Sequence, residues 1–334
     1  MNYSKLLTIF SATSLFAFAD QMTTSPYSQT PALQHPNLNP PNKSPNLSQN
    51  QEQRPRITEA KQPGVNSKNT YRNTKQQYNL IPAGTYTNLK LDNTGGTNTA
   101  AGAITSSGTL TTTSGGTFDM ATYTLGVATI TNGGTIKTSN TSSTPLTTSK
   151  TWGGTVEFAK TDGGQTITTG TYSTLTLSNS SGTNSSSGAV NTTTLNTTTG
   201  GIWDMGTNGT LGGTLSTVNH NGTLKTQNTT SPIANSKIYG GTGTIEFNGT
   251  LAQAFTASIA TQVYNLTVSN TNGLSLTNQL TINGTLKINS NCTFNLQSNT
   301  LVAGASFATD ISGILQTQSA TSFPTGKTWG GTVQ

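Results

Sequence analysis

The heptapeptide Lys-Thr-Trp-Gly-Gly-Thr-Val stands at Lys150–Val156 and again at Lys327–Val333. Four landmarks extend this identity into three tandem copies. Tyr86 matches Tyr172 and Tyr264; Asp119 matches Asp204 and Asn295; Lys137 matches Lys225 and Gln316; Trp152 matches Tyr239 and Trp329. The offsets are 86, 85, 88 and 87 residues between the first two copies and 92, 91, 91 and 90 between the last two. Offsets this constant define a true internal repeat. A repeat constrains the fold more than any other feature here, because each unit must bury its apolar face in its own core or against the next unit.

Within each copy the apolar residues alternate with polar ones over short stretches. Asn88-Leu89-Lys90-Leu91, Thr174-Leu175-Thr176-Leu177 and Asn265-Leu266-Thr267-Val268 do so, as do Phe118-Asp119-Met120, Trp203-Asp204-Met205 and Phe294-Asn295-Leu296. A period of two is the mark of a strand with one buried face. Gly, Asn and Ser clusters between these stretches supply turns, and no amphipathic helix pattern is present.

Two all-β architectures accommodate this: three immunoglobulin-like sandwiches, one per copy, or one continuous parallel β-solenoid. Each sandwich needs large residues from two opposed sheets, and this sequence is poor in them and rich in Thr, Asn and Gly. A solenoid needs only a thin interior, since each turn covers the edge of the last. Gly-Thr-aliphatic starts recur at a sub-period of roughly 20 residues, a common length for one solenoid turn. The expectation is therefore a β-solenoid over 78–334, divided at about 78–163, 164–249 and 250–334 with the last copy incomplete. Leu89, Leu91, Leu110, Phe118, Met120, Leu175, Leu177, Leu195, Trp203, Leu266, Val268, Leu286, Cys292 and Phe294 should face its core. Lys90, Asp119, Asp204 and Lys287 should be exposed.

The tandem combination GTYxxLxLxN, GTLxTxxGGxxDM, GTLKTQNT and KTWGGTVEF is similar to that of the β-strand-repeat surface proteins of Gram-negative bacteria. These resemble filamentous-haemagglutinin-type adhesins, so the resemblance implies a right-handed parallel β-helix acting as an adhesive shaft. It covers 78–334. The sequence departs from that pattern in two ways: a Pro/Gln/Asn-rich tail stands where those exoproteins carry a secretion domain, and no C-terminal membrane barrel or sorting domain is recognisable within the 334 residues.

The remaining sequence bounds the class. Residues 1–19 have the layout of a signal peptide, with Lys5, an apolar Leu6–Phe18 and Ala17-Phe18-Ala19 before Asp20. Residues 20–77 lack aliphatic periodicity and read as a disordered spacer. The expected location is secreted, on the outer surface of a Gram-negative cell. No later stretch is long and apolar enough for a transmembrane helix. The formal charge of +6 sits mostly in the tail; 78–334 is close to neutral, which argues against a nucleic-acid partner. The single cysteine, Cys292, alternates with Phe294 and Leu296 and reads as a buried small hydrophobe.

Parallel β-helices can also carry polysaccharide-degrading sites. Glycoside hydrolysis uses two carboxylates about 5–10 Å apart. Asp119 and Asp204 share a register, as do Glu157 and Glu246, but each pair is a whole repeat apart. With about four turns per repeat, stacked at ~4.8 Å, the partners stand ~19 Å apart along the axis. His35 lies in the tail, His220 in an expected turn, and no zinc or triad pattern forms. Trp152, Tyr239 and Trp329 fall in phase with the core. The expectation is no catalytic, metal or cofactor residue, with the ligand unknown. Three function classes follow. The first is a structural or adhesive surface protein meeting host or neighbouring-cell glycans or proteins. The second is a module binding an ordered surface, ice or polysaccharide, through Thr-rich strand faces. The third and weakest is a β-helix polysaccharide-degrading enzyme. The third copy halts inside an expected strand at Gln334, which leads us to expect a truncated form of a longer repeat protein that associates end to end.

Overall fold

The computed structural model describes residues 68–72 and 79–334, with the exception of 231, 320 and 322. The expected signal peptide and most of the expected spacer lie outside the described residues. One segment of that stretch, Lys68–Arg72, is a strand and pairs in parallel with Asn88–Asp92.

The chain is an all-β parallel solenoid of about 13 turns, with no helix among the described residues. Every strand pairing among them is parallel. A sandwich built from hairpins is thereby excluded, since a two-residue hairpin joins antiparallel strands only. Each turn visits three faces. Face one begins with Lys68–Arg72 and Asn88–Asp92 and ends with Thr332–Val333; face two runs from Asn79–Ile81 through Thr117–Asp119 and Lys150–Phe158 to Thr217–His220 and on to Leu301–Ala303; face three includes the ladder from Thr166–Ile167 and Thr183–Ser186 through Thr223–Thr226 to Ala308–Ile311. Along face two the register advances from Thr117 to Thr135, Thr155, Thr174, Thr194 and Thr217, so one turn takes 18–23 residues.

Alternation decides what each ladder does. Inward residues stack on inward residues: Phe118, Ile136, Val156, Leu175, Leu195 and Val218 follow one another on face two, and Trp203, Leu224, Ile245, Leu266 and Leu286 on face three. All are buried, as are the fourteen residues expected in the core. Burying a Leu or Phe side chain contributes roughly 1.5–3 kcal/mol, so a single file of such residues per face sustains a thin interior.

Lys90 and Lys287 are exposed as expected, but Asp119 and Asp204 are half-buried. The reason is the ladder itself: each outward side chain is flanked above and below at ~4.8 Å, and long neighbours cover a short carboxylate. Trp152 and Tyr239 are buried in the core. Trp329 is half-buried and packs on Phe307 and Phe323, with ring centroids 5.8 and 5.3 Å away.

The internal repeat does not coincide with a whole number of turns. The first-copy motif strand Thr117–Asp119 lies on face two; its second-copy counterpart Ile202–Asp204 lies on face three; its third-copy counterpart Thr293–Asn295 lies on face one. The strands Thr135–Thr138, Thr223–Thr226 and Ile314–Gln316 make the same move. About 13 turns shared by three copies give four turns and one face per copy.

The turn length has a direct test. In a Cys292→Ala background, Thr135→Cys with Thr155→Cys should close a disulfide on oxidation, because the two are register partners on adjacent turns and adjacent-strand Cα atoms lie ~4.8 Å apart. Thr135→Cys with Thr174→Cys, two turns apart, should not. Mass spectrometry under non-reducing conditions reads the outcome.

Candidate functional site

Among the described residues no three of His, Cys, Asp and Glu come together as a metal site. The carboxylates singled out by sequence are not brought together either. Asp119 and Glu157 are on face two, Asp204 and Glu246 on face three, so the repeat-related partners are separated in direction as well as along the axis.

Asp119 and Asp204 have the same local task. Asp119 Oδ1 accepts the backbone N–H of Ala121 at 2.8 Å, and Asp204 Oδ1 accepts that of Gly206 at 2.8 Å. Asn295 Oδ1 accepts that of Gln297 at 2.7 Å. Each bond closes a turn in which the donor residue has positive φ: 48° at Ala121, 61° at Gly206 and 55° at Gln297. An Asn oxygen does this as well as a carboxylate, which explains why the third copy tolerates Asn.

The surface the chain offers is a set of outward columns. On face two one column reads Thr99, Asp119, Lys137, Glu157 and Thr176. The second copy repeats it on face three as Ser185, Asp204, Lys225, Glu246 and Thr267, with Lys225 Nζ 3.1 Å from Glu246 Oε2. Glu157 and Glu246 each also accept a serine hydroxyl, from Ser178 at 2.6 Å and Ser269 at 2.9 Å. The third copy repeats the column on face one as Ser275, Asn295 and Gln316, and Gln334 stands at the position of Glu157 in the repeat. Its acid–base–acid series is replaced by three amides. A shallow groove of about 270 Å³ lies here, lined by Ala252, Gly273, Ser275, Thr293, Asn295 and Gln316. Beside the face-two column runs an unbroken file of threonines at 97, 117, 135, 155, 174, 194 and 217.

His220 does not stand in the turn that the sequence suggested. It ends the strand Thr217–His220 and is 1% exposed. Its Nε2 donates to the carbonyl of Thr244 at 2.9 Å, so Nδ1 carries no proton and accepts the Thr197 hydroxyl at 2.9 Å. Burial pushes its pKa down to about 4. The first copy places Asn132 at this corner, held by Thr112 and by the carbonyls of Gly153 and Thr155. The third copy places Ile288 and Ile311 there, both buried. His35 lies outside the described residues. Cys292 is buried, and that burial raises its thiol pKa.

Sequence reasoning also missed two buried amide latches. Gln165 Nε2 donates to the carbonyls of Thr138 and Asn140, at 2.9 and 3.3 Å, and Gln253 Nε2 donates to those of Thr226 and Asn228, at 3.0 and 2.9 Å. Their recurrence 88 residues apart was the available signal. Comparison with protein-family models, curated proteins and solved structures finds no match for this chain.

The turn-closing role of the acids predicts a specific mutational pattern. Asp204→Asn should leave unfolding in denaturant within ~0.5 kcal/mol of the parent, whereas Asp204→Ala should cost about 1 kcal/mol through the lost bond to Gly206. A reversal of that order would remove the structural role assigned to the carboxylate.

Proposed function

We propose that the chain is a secreted, non-catalytic surface rod, structural or adhesive in role, like the filamentous-haemagglutinin-type shafts its repeats resemble. The observation that carries this reading is the advance of one face per copy. Equivalent outward columns point in three directions around one stack, which suits contact with partners on several sides and gains from multivalent engagement. An active site needs the opposite, a few groups converging on one point. The partners this reading expects are glycans or proteins of host or neighbouring cells, and the signal-like residues 1–19 support export.

The threonine file on face two gives a second reading some support, recognition of an ordered surface such as ice or a crystalline polysaccharide. Its seven hydroxyls repeat at ~4.8 Å. The adjoining column, however, carries Asp119, Lys137 and Glu157 at its centre. Charged groups hold their hydration strongly, so the flat array is broken where it would need to be most regular.

Three results test the proposal together. The full chain expressed in a Gram-negative host should mature to an N-terminus at Asp20 and become accessible to protease on intact cells. Beads coated with the purified chain should adhere to cells. Incubation with a panel of polysaccharides should release no reducing ends. Retention of Met1 inside the cell would sink the surface location, and saccharide turnover abolished by Asp119→Asn or Glu157→Gln would replace the rod with an enzyme.

A further inference from the structure

Two of the solenoid's three ladders fail together at the turn above His220, as they also do one copy earlier above Asn132, where 125–127 continues only through the isolated bridge Leu125↔Leu146 and 129–132 has no strand partner above it. On face one, Leu211–Gly212 connects upward only through the isolated bridge Leu211↔Ile233 before a new sheet begins at Gln253–Phe255. On face two, Thr217–His220 reaches Gln262–Val263 only through the isolated bridges Asn219↔Gly240 and Ile238↔Gln262. Face three alone continues, with Thr223–Thr226 paired at four positions to Thr244–Phe247. The interval between those two strands is the longest without a strand in the described stack. It includes Ser236 at φ 57° and Ile238 at 59% exposure.

His220 sits directly beneath this turn, tied to it by two backbone bonds and, through its ring, to the first residue of the strand that follows. Its N–H donates to the carbonyl of Gly240 at 2.9 Å, its carbonyl accepts the N–H of Gly243 at 2.8 Å, and its Nε2 donates to the carbonyl of Thr244 at 2.9 Å. The ring packs against Gly243, where a Cβ would lie 2.5 Å from its Cδ2. Beneath the ring, Thr197 Oγ1 accepts the N–H groups of Asn221 at 3.0 Å and Gly222 at 3.1 Å while its proton goes to Nδ1. Among the strands packed against His220, Val190–Thr197 carries no charge, and Lys225 and Glu246 pair with each other on the outer surface. Lys237 is the one charged residue of the overlying turn, and none of the three hydrogen-bonds to the ring.

We propose that the turn spanning 227–243 is an acid-sensitive joint in the rod, latched by the neutral ring of His220 and released when that ring takes up a proton. A proton on Nδ1 turns the acceptor of the Thr197 hydroxyl into a second donor. Thr197 Oγ1 already accepts two N–H groups, so the corner cannot simply invert its bonding. The buried cation has no anion to meet, and the release of the turn to water relieves both problems. The sign follows from the ordinary histidine pKa of about 6.5 lying above the folded value of about 4. The latch is whole above the upper value and is lost as pH falls through the window toward the lower one.

Hydrogen exchange on the full chain at pH 7 and pH 5, each corrected for intrinsic chemical exchange, tests this. Opening of peptides within 233–245 should rise on the order of tenfold on acidification, while peptides within 280–290 should not change. His220→Asn, which copies the Asn132 corner, should keep the neutral-pH protection and abolish the pH response. An NMR titration of the His220 ring should show a midpoint near 4, with the rise in exchange falling in the window above it. The joint is overturned by a wild-type response that is absent or equal in both peptide sets. A response that survives His220→Asn, or an ordinary midpoint for His220, overturns it as well.

Discussion

The structure depends on one constraint: every turn must return to the same register after about 20 residues so that its backbone N–H and C=O groups meet those of the turns above and below. An unpaired buried backbone group costs about as much as a lost hydrogen bond or more, and a slip of one residue would turn every inward side chain outward. Side-chain composition is free once that register holds. Threonine and asparagine can fill the outward columns, and a single file of Leu, Ile, Val, Phe and Trp suffices inside. This is how a sequence with 30% hydrophobic residues builds one continuous core.

A second consequence comes from the mismatch between this turn and the repeat of 85–92 residues. Had the repeat equalled four turns, equivalent side chains would have piled into one stripe on one face. The extra third of a turn rotates each copy to the next face, so its outward column is seen from a new direction. The corner residues travel with it. Thr112 with Asn132, Thr197 with His220 and Ile288 with Ile311 are three solutions to one corner, two polar and one apolar. The two polar solutions keep the threonine and exchange one acceptor of its hydroxyl, Asn132 Oδ1, for another, His220 Nδ1, whereas in the apolar solution both partners change together. Removing one partner alone leaves a buried polar group unsatisfied.

Much of this was legible in the sequence. Period-two alternation identified the core residues Leu89, Phe118, Leu175 and Phe294, and the thinness of the apolar pattern favoured a stack over separate sandwiches. The faces were not legible, because alternation gives inside and outside but carries no information about which of three sheets a strand joins. The roles of Asp119 and Asp204 were hidden for a related reason: an outward acid before a turn reads as solvated until the i+2 bond is seen. His220 misled because its neighbours Asn219, Asn221 and Gly222 have the composition of an exposed turn, whereas Thr197 and Thr244, the groups that permit its burial, stand more than twenty residues away in sequence.

The one-face advance is measured most directly by pairs of spin labels in a Cys292→Ala background. One pair occupies 119 and 196, four turns apart in a single face-two column; the other occupies 119 and 204, equivalent positions of successive copies on different faces. The account predicts a backbone separation of ~19 Å for the first pair and a clearly longer distance for the second, which adds a change of face to a similar axial rise. Equal distances for the two pairs, or a shorter one for 119 and 204, would mean that the copies stack on one side, and would contradict it.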